Sequence, residues 1–172
     1  MSPARRLLIG AITLITATLG YAAGRMLFRP AESISQPIAF NHRKHVQELE
    51  IPCNQCHQYY ERGEHSGLPT LSICTGCHED AQTESLEEKK LTKLAGEGRD
   101  DVFRKLFRMP DHVFYSHRRH AVIAKIDCAT CHGAIAATQA PPGKPLVRIT
   151  MDFCIECHRR SGASVDCTRC HR

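Results

Sequence analysis

The chain has 172 residues, no Trp and only 6% aromatic residues, so its side chains alone make a poor core even though its apolar content, 42%, is ordinary. The formal net charge of +5 sits at the front: beyond residue 30, nineteen basic residues face eighteen acidic ones, a balance that argues against nucleic-acid binding. Ten cysteines and eleven histidines in so short a chain point to bound groups as the missing core.

Arg5 and Arg6 precede Leu7 to Gly24, a run of 18 residues with no charge, at the lower edge of what crosses a bilayer as a helix. Arg25 and Arg29 stand where they can snorkel at its far end. Two readings fit residues 1–29: a retained single-pass anchor in the inner (cytoplasmic) membrane, or a signal peptide cut near Ala22-Ala23-Gly24. In either case the basic N-terminus stays inside and the remainder faces the periplasm or exterior. Gly20 and Gly24 make a GxxxG that suits close approach of another helix as well as it suits an export site. Residues 30–39 read as a linker.

From Phe40 the chain reads FNHRKH, then seven residues, then Cys53-Asn54-Gln55-Cys56-His57. From Tyr115 it reads YSHRRH, again seven residues, then Cys128-Ala129-Thr130-Cys131-His132, so every His and Cys of the first unit recurs 75 positions later. Further CxxCH motifs lie at Cys74/Cys77/His78, Cys154/Cys157/His158 and Cys167/Cys170/His171. The five motifs consume all ten cysteines. CxxCH is the attachment signature of c-type haem: two thioethers hold the porphyrin and the adjacent His ligates its iron. Zinc sites would want paired CxxC units to complete a tetrahedron, and disulfides give no reason for a His after each pair. The expected cofactor is therefore five haem c.

Between His57 and Cys74 the chain is polar, with Gly63, Gly67 and Pro69, and reads as a loop around His65. Leu71-Ser72-Ile73-Cys74 has its counterpart in Met151-Asp152-Phe153-Cys154; the pseudo-repeats run over 40–78 and 115–158, and the loop Pro141-Pro142-Gly143-Lys144-Pro145 absorbs a five-residue insertion. Ser85 with Glu88 reads as a capping box opening a helix whose apolar face is Leu91, Leu94 and Ala95, closed by Gly96. A second helix is expected from Asp100 or Asp101 to Arg108, with Val102, Phe103, Leu106 and Phe107 on one side and Arg104, Lys105 and Arg108 on the other. Its basic face is either a solvated surface or a docking face for a partner subunit or anionic headgroups. The fifth motif, 167–171, ends one residue before the terminus.

Five proximal ligands, His57, His78, His132, His158 and His171, leave six histidines for five distal positions: His42, His45, His65, His112, His117 and His120. One of His65 and His112 is then spare. The members of each HxxH lie about 5 Å or more apart on one face of a helical turn, so one pair can serve two adjacent haems. Bis-His iron is low-spin with no open position.

The FxHxxH block ahead of a CxxCH resembles the class III cytochromes c, the small multihaem group that contains cytochromes c3 and c7, over about residues 40–172. The resemblance implies that His42 ligates the haem at Cys53/Cys56 and His117 the one at Cys128/Cys131, with His45 and His120 reaching other haems. It also implies a haem-cored, mostly irregular fold with a few short α-helices, here joined to one N-terminal transmembrane helix. Five haems, a long insert and the anchor depart from that pattern; in these the chain is similar to the membrane-attached pentahaem or hexahaem subunits of alternative complex III and of quinone reductase complexes. The expected function is electron transfer, without catalytic residues of its own, between iron-sulfur and polytopic membrane subunits of a quinone oxidoreductase and a soluble periplasmic carrier. A multihaem reductase with one open-site haem and a free-standing periplasmic carrier are the alternatives.

Overall fold

The structure, a computed structural model, describes residues 2–27 and 33–171, and the chain divides into two compact units, residues 1–32 and 33–172. The first unit is helix α1 (Pro3–Leu27). Its stretch Pro3–Met26 has a mean hydropathy of 1.7 and no buried residue, and it is long and apolar enough to cross a membrane by length and composition. Thr13, Thr16 and Thr18 return their hydroxyls to carbonyls three and four residues back, which satisfies the polar atoms of an otherwise apolar surface within the helix. Gly20 and Gly24 face open space. Arg29, expected to snorkel, lies outside the described residues, as does the front of the expected linker.

The second unit contains only short elements: α2 (Cys53–Cys56), α3 (Leu71–Thr75), α4 (Leu86–Gly96), α5 (Cys128–His132), α6 (Met151–Ser161) and α7 (Cys167–Cys170), with π-helical turns at Arg43–Glu48 and Arg118–Ile123 and a 3-10 turn at Ile135–Ala137. Among the described residues there is no strand, only an isolated antiparallel bridge between Val113 and His171. The buried apolar core of these residues is Ile38, Leu71, Leu91 and Val102, with Leu94, Ala95, Phe103 and Cys74 packed against it. Leu71 is 1% exposed. So small a core matches the shortage of aromatic residues and leaves the remainder of the interior to be filled by something other than side chains.

Three expectations change. Ile38 is buried and Ile34 N–H donates to the Gly143 carbonyl, so residues 33–39 pack as part of the second unit. The helix expected over 100–108 does not form. Its backbone groups are taken by other segments: Asp100 O accepts from Leu71 and Val102, and the Gln36 side chain both donates to Arg104 O and accepts from Arg104 N–H. Burial of Val102 in the core outweighs the local helical pattern. Arg104, Lys105 and Arg108 are exposed on an irregular segment, not on one helical face. The third change concerns Ser85 and Glu88. Helix α4 starts and stops as expected, and Leu91, Leu94 and Ala95 do form its inner face, but Ser85 makes no side-chain cap bond. Glu88 turns instead to the loop before the helix, accepting from Gln82 N–H, Thr83 N–H and the Thr83 hydroxyl.

The repeat is visible in the backbone. Leu49 N–H bonds Lys44 O and Ala124 N–H bonds Arg119 O, the i to i+5 closure of a π turn, at 3.0 Å in both. Each turn ends in a non-glycine residue with left-handed backbone, Glu50 at φ 55° and Lys125 at φ 54°. Ile51 N–H then returns to His45 O and Ile126 N–H to His120 O, so the strained residue throws the chain back toward the second His and into the next CxxCH.

Leu71→Ala should lower the stability of the haem-loaded protein by about 3 kcal/mol, read from its chemical denaturation midpoint. Glu50→Gly and Lys125→Gly should each raise it by about 0.5–1 kcal/mol by relieving left-handed strain, and the two gains should add.

Candidate functional site

Each π turn presents its two histidines to one aromatic residue. The Phe40 ring meets His42 edge-on at 4.9 Å and tilts over His45 at 4.4 Å; Tyr115 meets His117 edge-on at 5.0 Å and stacks on His120 at 4.8 Å. The wedge splays the two imidazoles toward different neighbours. His45 faces His78 with ring centres 6.1 Å apart, His117 faces His132 at 6.3 Å with an interplanar angle of 6°, and His120 faces His158 at 6.1 Å. His112 faces His171 at 5.5 Å. That last pair is held where Val113 bridges to His171 and Phe114 N–H donates to Cys170 O, tying the C-terminal motif to the segment ahead of the second π turn.

These spacings can be tested against haem. Two axial imidazoles at Fe–N of about 2 Å, with about 1.1 Å from nitrogen to ring centre, put the centres roughly 6.2 Å apart. Three of the four pairs meet this value within about 0.1 Å, and His112/His171 is tighter. The ligating nitrogen must also be a free lone pair. His45, His57, His117, His120 and His158 engage Nδ1 with the carbonyls of Asn41, Gly67, Glu64, Ser116 and Ser164, at 2.7–2.9 Å. A carbonyl only accepts, so Nδ1 carries the proton and Nε2 is left as the donor atom a metal needs. At His42 the partner is the Thr138 hydroxyl, 3.2 Å away; that hydroxyl donates to Ile135 O and therefore accepts from His42. His78 differs, since its Nδ1 meets the Glu88 carboxylate. The residues present fit haem iron with histidine on both sides.

Burial agrees. It lowers His42 to about 4, aided by the nearby His57 and His45, and lowers His117 and His132 as well, keeping these imidazoles neutral. Hydrogen bonds from the Thr83 hydroxyl and then the Gln82 N–H hold the Glu88 carboxyl down at about 2. His42 and His57 line a common, partly open cleft with Tyr60, Tyr115, His117 and His132, so the two repeat units meet across one apolar cavity. Phe107 closes against His132 edge-on at 4.8 Å.

The ten cysteines are unpaired. Burial raises several of their thiols, and the further contributions mark which motifs adjoin: Cys77 on Cys56, Cys56 on Cys74, Cys53 on Cys128, Cys157 and Cys154 on Cys131, and Cys170 on Cys154. Cys77, expected beside Cys74 as the second thioether of its site, is placed differently from the second cysteine of every other motif. Cys56, Cys131, Cys157 and Cys170 are partly buried and lie within helices, whereas Cys77 is exposed and lies beyond the end of α3. The helix α3 stops at Thr75, ahead of Gly76, and the turn beyond it is closed by the N–H groups of Cys77 and His78 on Cys74 O at 3.1 and 2.9 Å. No group of three or more His, Cys, Asp or Glu side chains among the described residues is arranged to hold a bare metal ion.

Of the histidine candidates, His65 stands apart. Like His112 it is exposed, and like His42 and His57 it faces no other imidazole in the ring pairs above; unlike those two it does not line the cleft between the repeats. Sequence reasoning missed the groups that orient the histidines. Backbone carbonyls carry no residue signature. Gly67 gave a partial signal: its φ of +75° and the Tyr59 ring packed where a Cβ would stand are what aim its carbonyl at His57. Glu88 was visible, but as a cap.

Residues 26–101 match the class III cytochrome C family, and residues 113–172 match cytochrome c7 and related cytochrome c. The menaquinone reductase, multiheme cytochrome c subunit of Nitratidesulfovibrio vulgaris is 33% identical over 113 residues, covering 65% of this chain and 51% of that protein. The chain thus spans about half the length of that relative. With CxxCH motifs throughout, the first part of the chain is thus similar to the class III cytochromes c and the last part to cytochrome c7 and related cytochromes c.

Proposed function

We propose that residues 40–172 bind five haem c, each held by a bis-histidine pair, and that they conduct electrons as the cytochrome subunit of a membrane quinone oxidoreductase. The pairs are His42/His57, His45/His78, His117/His132, His120/His158 and His112/His171, with His65 spare. The observation that carries this is the set of imidazole pairs spaced for one iron, repeated in both halves. Bound haem supplies a one-electron couple; the chain's part is to hold each iron on both sides and to set the order of sites.

That order is not the order along the chain. The adjoining cysteines give the row Cys74/Cys77, Cys53/Cys56, Cys128/Cys131, Cys154/Cys157, Cys167/Cys170. Each π turn supplies one ligand to its own CxxCH site and one to the next site outward: His45 to the Cys74 site and His120 to the Cys154 site. The apolar cleft lies where the two inner sites meet. Bis-histidine ligation leaves no position for substrate, so the chain relays electrons and does not itself turn over quinone. Helix α1 anchors it in the inner membrane with Arg5 and Arg6 inside and the haem domain on the periplasmic side. Similarity to a menaquinone reductase subunit supports a place in a membrane complex; iron-sulfur and polytopic membrane subunits at one end and a soluble periplasmic carrier at the other complete the proposed path.

Pyridine haemochrome assay of the purified full-length chain should give five haems per polypeptide, and the reduced protein should bind no carbon monoxide. His112→Ala should open one CO-binding site per chain, whereas His65→Ala should open none; CO binding by the wild type, or by His65→Ala alone, overturns the ligand assignment. The full-length chain should stay in the membrane through a high-salt wash and be released by detergent, keeping residues before Ala22 in its intact mass. Release by salt with cleavage near Ala22 would mark α1 as a signal peptide.

A further inference from the structure

His78 is oriented differently from the proximal histidines His57 and His158. Those two give Nδ1–H to the carbonyls of Gly67 and Ser164, whereas His78 gives it to Glu88 Oε1 at 2.5 Å. Glu88 is fixed in place from several sides. Gln82 N–H donates to the same oxygen at 2.8 Å, and Thr83 donates its N–H to Oε2 at 2.9 Å and its hydroxyl to that oxygen as well. The residue is only 9% exposed and sits in the first turn of α4, where the helix N-terminus favours a negative charge. Leu91, one turn on, buries in the small core and fixes the helix that carries it.

We propose that Glu88 is a positioning residue that acts through His78 to lower the reduction potential of the haem at Cys74/Cys77 below what a carbonyl partner, as at His57 or His158, would set. This rests on the reading of His78 as that haem's proximal ligand. A carboxylate accepting Nδ1–H draws the proton toward itself and makes Nε2 a stronger donor to iron. The fixed negative charge beside a half-buried site favours the more highly charged ferric state over the state that has taken up one electron. The imidazole keeps its Nδ1 proton in both states, so one electron and no proton is exchanged. Because the Cys74/Cys77 site ends the row of sites, Glu88 would set the poise at a terminus of the wire and not in its middle.

The test is a potentiometric titration of the full-length, haem-loaded protein, followed by EPR of the low-spin signals. Glu88→Gln keeps the size of the side chain and removes its charge. It should leave haem content and low-spin character unchanged while one step moves to higher potential and the others stay in place. Thr83→Val keeps the carboxylate and removes one competing donor, which should strengthen its hold on His78 and move the same step lower; it carries the test if Glu88→Gln fails to load haem. Steps unmoved in the variants that load haem overturn the proposal. Peptide mapping of the wild type separates the two readings: a Cys74-containing peptide without haem sinks the assignment of His78 and the proposal with it, whereas a haem-bearing peptide with unmoved steps sinks the Glu88 proposal alone.

Discussion

The structure depends on the pairing of imidazoles across gaps of about 6 Å. Four buried apolar side chains are far too few to order the described part of residues 33–172, and the elements around them are helices of one to three turns that could not persist alone. Histidines from separate segments meet across those gaps, and five histidines are fixed through Nδ1 by backbone carbonyls. A haem between two such rings adds two thioethers and a large apolar surface to the contact. Under the proposed ligation, porphyrin would supply the missing aromatic core.

The repeat works by exchange between its halves. His117, in the second repeat, is held by the Glu64 carbonyl from the loop of the first repeat; His42, in the first repeat, is held by Thr138 from the second. Arg43 N–H on Thr138 O and Arg118 N–H on Gly63 O reinforce the same two seams. The inner histidine of each π turn is therefore set by the opposite repeat, while the outer histidine is set by its own turn through Asn41 O or Ser116 O. Under the proposed ligation, this exchange would make the duplicated sites one continuous row and not two separate clusters. Divergence is confined to the outer ends: α3 stops at Thr75 and leaves Cys77 outside it, whereas α6 carries both of its cysteines and runs on to Ser161, with Thr150 accepting from Phe153 N–H and Gly162 closing it in left-handed conformation.

Where local pattern and tertiary demand met, tertiary demand prevailed at two places. Residues 100–108 have a helical pattern, yet Asp100 and Arg104 give their backbone groups to Leu71 and Gln36, because burying Val102 beside Leu71 is worth more than a marginal exposed helix. Glu88 has the spacing of a cap, yet its carboxylate goes where four donors, including an imidazole, converge.

The sequence alone determined the chemistry. CxxCH states its own ligand because two thiols and an imidazole within five residues must act together wherever the chain goes, and the 75-residue spacing carries the π turns, the aromatic wedge and even the left-handed Glu50 and Lys125 into both halves. An uncharged run of apolar residues likewise declares a membrane-length helix from composition alone. Tertiary structure decided everything that depends on residues distant in the chain: which imidazole faces which, that His112 meets His171 while His65 meets no imidazole in those ring pairs, and that His78 of the second CxxCH meets His45 of the first repeat. It also decided the partners of Nδ1, since a carbonyl is the same in every residue and only the fold brings Gly67, Glu64 or Thr138 to a ring ten to ninety-six positions away.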